Sequence, residues 1–313
     1  MPELLLLEAP VKENIWGGTG LAEFGYPLPS DTCGEAWVVS AHPHGDARIR
    51  EGRFAGQTLS QVYRENRALF GPDAPDEFPL LVKIIDAQQD LSIQVHPDDA
   101  YAREHENGSL GKSECWLITR AGAYGGIVFG HRAKTREELK EMVTAGRFDE
   151  LICRRQVAAG DFFDIQPGTV HAICAGTQLV EVQQSSDITY RLYDYGRLQN
   201  GRPRPLHLAQ ALDVIKVPAV YEEQPRRERQ EGNALVSVLT EGPYFTVADT
   251  EISGLWRASW QTPWACGVVL DGSGMLADHP VKKGDSFVIL SPEGLSAAGR
   301  MRVLFAGPGG SHL

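Results

Sequence analysis

The chain has 313 residues and a formal net charge of −11. A chain longer than ~250 residues forms two compact domains or one large one, and either holds a sizeable buried core. The acidic balance argues against nucleic acid and anionic membranes as main partners, because both attract a net basic face. The sequence has no basic-then-apolar leader and no apolar run near the ~20 residues that span a bilayer, so we expect a cytoplasmic protein.

The cysteines indicate neither a disulfide framework nor a thiolate zinc site. There are five of them, an odd number, and no two have the C-x-x-C spacing. We therefore expect reduced thiols, most of them buried. No feature of the sequence indicates a particular oligomeric state.

Helix signals are few in the sequence. Thr58 and Thr135 stand three residues before Gln61 and Glu138, which is the capping-box spacing, and each opens an amphipathic stretch that ends at a glycine. Both stretches are predicted to be peripheral helices that pack on another structure.

That other structure is predicted to be a β-sandwich or barrel. Short runs rich in β-branched and aromatic residues, bounded by Gly, Pro, Asp and Asn, recur through the first two-thirds of the chain. Many short strands separated by turn signals are typical of all-β architectures. The predicted strands are Leu80–Ile85, Ser92–His96, Glu114–Thr119, Gly126–Phe129, Phe162–Ile165, Thr169–Ile173 and Leu179–Gln183.

A charged segment divides the chain. Glu222–Asn233 has no apolar residue, so residues 222–233 are predicted to be a linker between a first domain at 1–221 and a second, smaller β domain at 234–313. In the second domain, Asp271-Gly272 is expected to form a hairpin turn. The strands predicted there are Leu235–Leu239, Tyr244–Thr250, Cys266–Leu270, Phe287–Leu290 and Val303–Phe305.

Two stretches of the chain, 160–171 and 284–297, share an order of features. Each has a Gly-Asp turn, an apolar strand, a Pro/Gly turn and then a position three residues after a glycine, which is His171 in the first stretch and Ala297 in the second. If both are copies of one β-unit, only the first can hold a metal. Chance similarity of two turn-strand-turn segments is the alternative.

The segment 91–99 is the most informative for function. On a strand, Ser92, Gln94 and His96 alternate to one face. Lys112 and Glu114 share one face of another apolar strand, and His171 follows a Pro-Gly turn. Two histidines, a carboxylate and a carboxamide oxygen can bind a divalent ion and leave a position for water or substrate, as in catalytic zinc sites.

A second histidine pair is a weaker candidate for metal binding. His42 and His44 lie in a turn-like AHPHG segment, and the sequence indicates no obvious carboxylate partner for them. We therefore interpret this pair as part of a surface loop.

Several motifs, in order, resemble one known family. The segments SIQVHPDD, GKSECW, PGTVHAI and EVQQSSDITYRLYDY are similar to signature regions of type I phosphomannose isomerases, especially the short bacterial form. The segments KENIWGGTGL, GEAWVVSAHP and FPLLVKIIDA also resemble that form, so the similarity covers most of residues 1–216. The resemblance implies a cupin fold, that is, a double-stranded β-helix or jelly roll, with a degenerate cupin-like second domain.

The resemblance also implies roles for individual residues and for a cofactor. The metal, one Zn²⁺ per chain or another divalent ion, is expected on Gln94, His96, Glu114 and His171. The groups expected to hold the substrate phosphate are Ser92, Lys83 and Lys112. The groups expected to act in catalysis are Arg191, Lys112 and Glu181.

The implied reaction interconverts mannose 6-phosphate and fructose 6-phosphate through a cis-enediol. Charge develops on two sugar oxygens, and a divalent ion and a guanidinium stabilise that charge in a dry pocket. The lysines and Ser92 are expected to hold the phosphate remote from the reacting carbons. For the proton-transfer base, Glu181, a metal-bound water and a nearby histidine remain alternatives.

Two other interpretations compete with an isomerase. Two histidines and one carboxylate also form the iron site of non-haem oxygenases on similar barrels, but Lys83, Lys112 and Arg191 then have no task. A non-catalytic protein that binds sugar phosphates is the other alternative, and the intact ligand set together with Arg191 argues against it.

Overall fold

The structure, a computed structural model, describes residues 2–123, 125–220 and 225–313, and it confirms an all-β chain with a few peripheral helices. Seven strands predicted in the first two-thirds are all present, with ends within about two residues of the predictions for most of them. The strands are β1 (Glu3–Glu8), β2 (Val11–Gly18), β3 (Cys33–Val39), β4 (Arg48–Ile49), β5 (Leu80–Asp86), β6 (Ile93–Val95), β7 (Glu114–Ala121), β8 (Gly126–His131), β9 (Ile152–Gln156), β10 (Phe162–Ile165), β11 (His171–Ile173), β12 (Thr177–Gln184), β13 (Tyr190–Tyr193), β14 (Leu198–Gln199), β15 (Arg202–Pro203), β16 (Arg227–Glu231), β17 (Ala234–Glu241), β18 (Phe245–Arg257), β19 (Trp264–Leu276), β20 (His279–Lys282), β21 (Ser286–Leu290) and β22 (Ser296–Pro308).

Both predicted helices are present and begin where the capping signals lie. Thr58 caps its helix with the complete capping box, and Thr135 accepts a hydrogen bond from the backbone N–H of Glu138. The α-helices are α1 (Leu59–Glu65), α2 (Asp99–His105), α3 (Arg136–Thr144), α4 (Phe148–Leu151) and α5 (Leu208–Val214), and the 3₁₀ helices are Gly20–Phe24 and Arg67–Phe70.

Two antiparallel sheets form a sandwich in the first part of the chain. The six-stranded sheet has the order β10-β7-β12-β5-β3-β2, and the five-stranded sheet has the order β13-β6-β11-β8-β9. A buried apolar cluster that includes Trp116, Ile85 and Ile173 lies between their inner faces. The outer face of the five-stranded sheet is covered by helices α3 and α5. The polar residues of the predicted site lie on the inner faces, beside this cluster.

The outer face of the six-stranded sheet packs on a nine-stranded sheet built mostly from the last third of the chain. Strand β1 also belongs to the nine-stranded sheet, because Leu4 and Leu6 pair with Ile289 and Phe287 of β21. The predicted division of the chain, at 1–221, 222–233 and 234–313, therefore stays a prediction. The structure adds that the first residues of the chain pair with strands of the second β unit.

The predicted linker differs from the structure over part of its length. Residues 222–224 lie outside the described residues, but Arg227–Glu231 forms β16 and pairs with β17 at the edge of the nine-stranded sheet. An edge strand with both faces in solvent needs no apolar residue, and charged side chains there protect the edge against pairing with other chains. The absence of apolar residues therefore excluded a core strand but not an edge strand.

The expected hairpin turn at Asp271-Gly272 is wrong. Both residues lie within β19, where a β-bulge shifts the register between Val269 and Asp271. The turn comes later, at Ala277 and Asp278, which both have positive φ and connect β19 to β20. A glycine with positive φ serves a bulge as well as a turn, so the dipeptide alone did not distinguish them.

The internal repeat stays a prediction, because β10 and β11 lie in different sheets whereas β21 and β22 lie in one sheet, although the two stretches share a local turn. In each copy the aspartate of the Gly-Asp turn accepts a hydrogen bond from the backbone N–H three residues before it, Ala158 to Asp161 at 2.8 Å and Lys282 to Asp285 at 2.9 Å. Each copy then forms two strands, β10 and β11 in the first and β21 and β22 in the second. If the two stretches are copies of one unit, Ala297 corresponds to His171 and the second copy has no imidazole there.

The state of the cysteines and the character of the helices agree with the predictions from the sequence. All five cysteines are free, and all except Cys153 are buried. Within residues 2–123, 125–220 and 225–313, no helix has the length and apolar character needed to cross a bilayer.

Candidate active site

The five-stranded sheet places three site residues in one row. In its ladders, Gln94 on β6 lies between Arg191 on β13 and His171 on β11. Directly opposed residues in a sheet point to the same face, so all three side chains lie on the inner face. Ser92 and His96 alternate with Gln94 onto the same face, as the sequence predicted. Ile93 and Val95 pack on the outer side of the sheet.

The six-stranded sheet supplies the facing row. Glu181 on β12 lies between Trp116 on β7 and Lys83 on β5. Glu114 is two residues before Trp116 and therefore shares its face. The indole N–H of Trp116 donates to Glu181 Oε2 at 2.9 Å, a contact that the sequence analysis did not assign although Trp116 lies in the GKSECW motif.

Backbone carbonyls fix the tautomers of the two histidines. His96 Nδ1 lies 2.7 Å from the carbonyl oxygen of Ile188, and His171 Nδ1 lies 2.9 Å from that of Thr169. A carbonyl only accepts, so each Nδ1 carries the proton and each Nε2 presents a lone pair. Those two Nε2 atoms are 3.1 Å apart. Two lone pairs that face each other require a cation or a donor nearby.

Glu114 completes the cluster around these two nitrogens. Its Oε2 lies 3.5 Å from His96 Nε2, and its Oε1 lies 3.4 Å from His171 Nε2. Glu114 is fully buried, and among the described residues its Oε1 has no hydrogen-bond partner. A buried carboxylate oxygen without a donor is costly, and a divalent ion satisfies it together with both imidazoles. The donor set of His96, Glu114 and His171 therefore fits a divalent metal.

Gln94 adjoins the cluster in a different orientation from the one predicted. Its amide nitrogen, not its oxygen, is 3.3 Å from His171 Nε2, and its Oε1 accepts from the Ser92 hydroxyl at 3.2 Å. For Oε1 to become a metal ligand, the Gln94 amide must rotate so that its oxygen and nitrogen exchange places. The location of Gln94 agrees with the predicted ligand set, and its role as a ligand stays a prediction.

Two buried lysines neutralise the two buried glutamates. Lys83 Nζ lies 3.1 Å from Glu181 Oε1, and Lys112 Nζ lies 2.5 Å from Glu114 Oε2. Burial alone would raise the pKa of Glu181, but Lys112 and Lys83 together hold that pKa below its usual range. Burial and the charge of Glu181 raise the pKa of Glu114. The pKa of Glu114 therefore lies above that of Glu181, and a cation bound at the two histidines would lower it and favour the ionised form.

The position of Lys112 differs from the sequence expectation. Its ammonium lies 3.1 Å from His96 Nε2 and 4.0 Å from Glu181, so it is at the metal ligands and not remote from them. Lys112 precedes β7 by two residues, so its side chain lies on the same side of the chain as that of Glu114. Lys83 is the more distant of the two lysines, and its ammonium lies over the ring of Trp37 at 5.2 Å.

Arg191 points toward the same pocket from the five-stranded sheet. Its side chain is largely buried, and its Nε has no hydrogen-bond partner within the described part of the chain. Burial and the neighbouring Arg204 lower the pKa of the guanidinium, which nevertheless stays charged at neutral pH. His207 fixes the backbone of Arg191 through two hydrogen bonds. The Arg191 N–H donates to His207 Nδ1 at 3.2 Å, and the His207 N–H donates to the Arg191 carbonyl at 2.9 Å.

His42 and His44 lie in a surface loop, as predicted, but they have a carboxylate partner that the sequence did not indicate. Asp187 Oδ2 lies 2.5 Å from His44 Nδ1, and its Oδ1 lies 3.7 Å from His42 Nε2. Burial lowers the pKa of His42, against the opposite effect of Asp187. The partner is 143 residues away in sequence, so spacing could not indicate it.

Comparisons with known proteins agree with this geometry. Residues 4–110 match the family described as phosphomannose isomerase type I, catalytic domain. Mannose-6-phosphate isomerase ManA of Bacillus subtilis is 45% identical over 298 residues, which cover 94% of each chain. The mannose-6-phosphate isomerase of Streptococcus mutans is 43% identical over 295 residues, which cover 92% of this chain and 93% of the relative.

Solved structures give the same result for the fold. The crystal structure of the Bacillus subtilis mannose 6-phosphate isomerase superposes with a TM-score of 0.94 at 38% identity, and it covers 99% of both chains. The apo enzyme from Salmonella typhimurium superposes with a TM-score of 0.74 at 17% identity, covering 99% of this chain and 100% of that one, which supports the fold alone. The predicted cupin fold is thereby confirmed. The chain belongs to the type I phosphomannose isomerase family.

Proposed function

We propose that this chain interconverts mannose 6-phosphate and fructose 6-phosphate through a cis-enediol, with one catalytic divalent ion, zinc by preference, bound per chain. The observation that carries the proposal is the convergence of two Nε2 lone pairs and a buried carboxylate on one point, next to buried lysines and Arg191. An aldose-ketose isomerase needs this combination of cations because negative charge develops on two adjacent sugar oxygens.

His96, Glu114 and His171 would hold the ion, with Gln94 as a fourth ligand after its amide turns over. When bound, the ion supplies positive charge that stabilises the developing oxyanion. The carbonyls of Ile188 and Thr169 support this assignment, because they keep both histidines in the tautomer that metal binding requires.

The reaction moves one proton between two carbons. A base removes the proton from C2 of the open-chain aldose, the electrons of that C–H bond form the C1=C2 double bond, and O1 takes up a proton. The return of a proton to C1 and the loss of the O2 proton then give the ketose, so atoms and electrons balance. Glu181, a metal-bound water and a nearby histidine stay the alternatives for this base: Glu181 is ionised, but its lowered pKa makes it a weak proton acceptor.

Arg191 and Lys112 provide the charge around the enediol. Arg191 lies in the row with Gln94 and His171, on the inner face of the five-stranded sheet, and its Nε is free to donate within the described residues. Lys112 is beside the ligand atoms, so a catalytic part for it is better supported than a purely phosphate-binding one. Lys83 and Ser92 remain the groups proposed to hold the phosphate.

A coupled assay tests the proposed function. The purified, zinc-loaded protein should convert mannose 6-phosphate, should lose this activity after exhaustive chelation, and should regain it with zinc. A non-catalytic sugar-phosphate-binding protein would bind the substrate without turnover, and an oxygenase would consume dioxygen and respond to ferrous iron. Absence of isomerisation in the zinc-loaded protein would refute the proposal. The cytoplasm remains the expected location of this activity.

Substitutions of the two lysines should differ in their effects on phosphorylated and unphosphorylated substrates. Lys83→Ala is expected to lower kcat/KM for mannose 6-phosphate by ten- to a hundredfold, because it removes a charge-assisted contact worth ~1.5–3 kcal/mol. Turnover of unphosphorylated mannose should fall by less, since only the effect of Lys83 on Glu181 is then lost. Lys112→Ala is expected to impair both substrates, since Lys112 lies at the metal ligands.

Both lysine variants leave a buried glutamate without its partner, which destabilises the fold. Thermal unfolding of each variant is the control, and activity is compared well below its midpoint. Equal losses on both substrates for Lys83→Ala would remove Lys83 from phosphate binding.

A further inference from the structure

Outside the predicted catalytic cluster, a second group of ligand atoms lies at the rim of an open surface cleft. This rim cluster consists of His42, His44 and Asp187, with His44 Nδ1 2.5 Å and His42 Nε2 3.7 Å from the two carboxylate oxygens. One ligand atom from each residue lies within 4.8 Å of the others. The two imidazole rings are 5.0 Å apart at their centroids.

The rim cluster is held by contacts on both of its segments. The edge of Trp37 packs on His42 at 5.6 Å, and Lys12 Nζ donates to the backbone carbonyl of His44. Asp187 is one residue before Ile188, whose carbonyl fixes His96. The rim cluster therefore joins the loop after β3 to the segment that orients a predicted catalytic ligand.

An ordinary surface ion pair needs only one histidine and one carboxylate. His279 and Glu51 form such a pair at 3.2 Å in the nine-stranded part of the molecule. The rim cluster differs because a second imidazole, 12% exposed, points its Nε2 at the same carboxylate. Two imidazoles and a carboxylate from two chain segments are the ligand types that zinc and similar ions prefer.

We propose that the rim cluster is a second, exchangeable binding site for a divalent cation of the zinc type. Three protein ligands leave at least one position for water. The site is accessible, since His42 and Asp187 border an open cleft of about 1140 Å³ and the side chain of His44 is 69% exposed.

The second site should bind more weakly than the buried one. His42 Nδ1 accepts a hydrogen bond from the backbone N–H of His44 at 3.2 Å, so the Nε2 of neutral His42 carries the proton. An ion on Nε2 must displace that proton to Nδ1 and break this hydrogen bond. Exposed ligands also gain less from a cation than buried ones do. The buried cluster, whose tautomers are already correct, should therefore fill first.

Equilibrium dialysis against rising Zn²⁺, with the bound metal measured by elemental analysis, tests this inference. The wild-type chain should bind two zinc ions in two resolved steps. His44→Ala and Asp187→Asn should keep the first and lose the second over the concentrations that fill it in the wild type. His279→Ala is the matched control, since it removes an exposed histidine from a carboxylate pair, and it should still bind two.

A wild-type chain that binds a single zinc throughout would overturn the second site. So would a His44→Ala variant that binds the second ion as the His279→Ala variant does. Loss of the first, tighter equivalent would instead contradict the proposed catalytic site, so the two proposals fail in distinguishable ways. Circular dichroism on each variant checks that the loop substitutions leave the chain folded.

Discussion

Replacing Glu114 by glutamine is expected to abolish isomerisation and to remove the tightly bound metal. Glu114 is the only anionic group within 3.5 Å of both histidine Nε2 atoms among the described residues. The amide keeps the shape of the side chain but supplies no charge to offset that of a divalent ion. The ion contributes several kcal/mol to the transition state, so kcat/KM should fall by about a thousandfold or more at limiting zinc.

Glu181→Gln is the matched control for Glu114→Gln. Both substitutions are isosteric, and both remove one negative charge from the same buried group of two glutamates and two lysines. Each therefore leaves one surplus positive charge and should destabilise the fold to a similar degree. Zinc content distinguishes them, because only Glu114→Gln should lose it. Full metal occupancy and near-normal activity in Glu114→Gln would contradict the ligand assignment.

The sequence predicted those parts of the fold and site that depend on local patterns. The strand around Gln94 and His96 was recognisable because alternation places polar residues on one face and apolar residues on the other. The helix starting at Thr58 was recognisable because its cap is a contact across three residues. The family motifs then identified which polar strand residues belong together, which alternation alone cannot do.

The parts that the sequence did not predict depend on contacts between distant segments. Asp187 meets His42 and His44 across more than 140 residues, and no spacing rule relates them. Strand β16 forms because an open sheet edge offers hydrogen-bond partners, which its own composition does not reveal. Lys112 lies beside His96 because two different chain segments meet at the site, whereas motif order gives no distances.

The buried charges of the site lower the stability of the folded chain, because burying a charge costs hydration free energy. The two lysines and two glutamates of the site are at most 5% exposed, and they lie beside an apolar cluster. Each charge loses its hydration, and the opposite charges 2.5–3.1 Å away, together with the hydrogen bond from Trp116 to Glu181, offset part of that loss. An arrangement that gains little for stability points to selection for function, because perturbed and buried charges concentrate at active sites.

Replacing Arg191 by alanine is expected to lower kcat by ~10²- to 10³-fold while KM stays within a few-fold. The guanidinium stands in the row with Gln94 and His171, and its buried Nε lacks a partner in the described residues. A donor that is unsatisfied without substrate strengthens its contact as negative charge develops on the enediol. Lysine at position 191 should recover only part of the rate, since a point charge cannot replace a planar, two-pronged donor.

Steady-state kinetics on both variants, with zinc content measured on the same samples, decide the role of Arg191. Arg120→Ala is a suitable control, because Arg120 is also a strand arginine and forms a 2.6 Å ion pair with Asp86, but its side chain is 52% exposed. The control should keep its kcat. Added guanidinium should partly restore Arg191→Ala and should not affect Arg120→Ala, because only the former leaves a space in the pocket. An unchanged kcat in Arg191→Ala would remove this residue from the mechanism and leave Lys112 as the cationic side chain nearest the enediol.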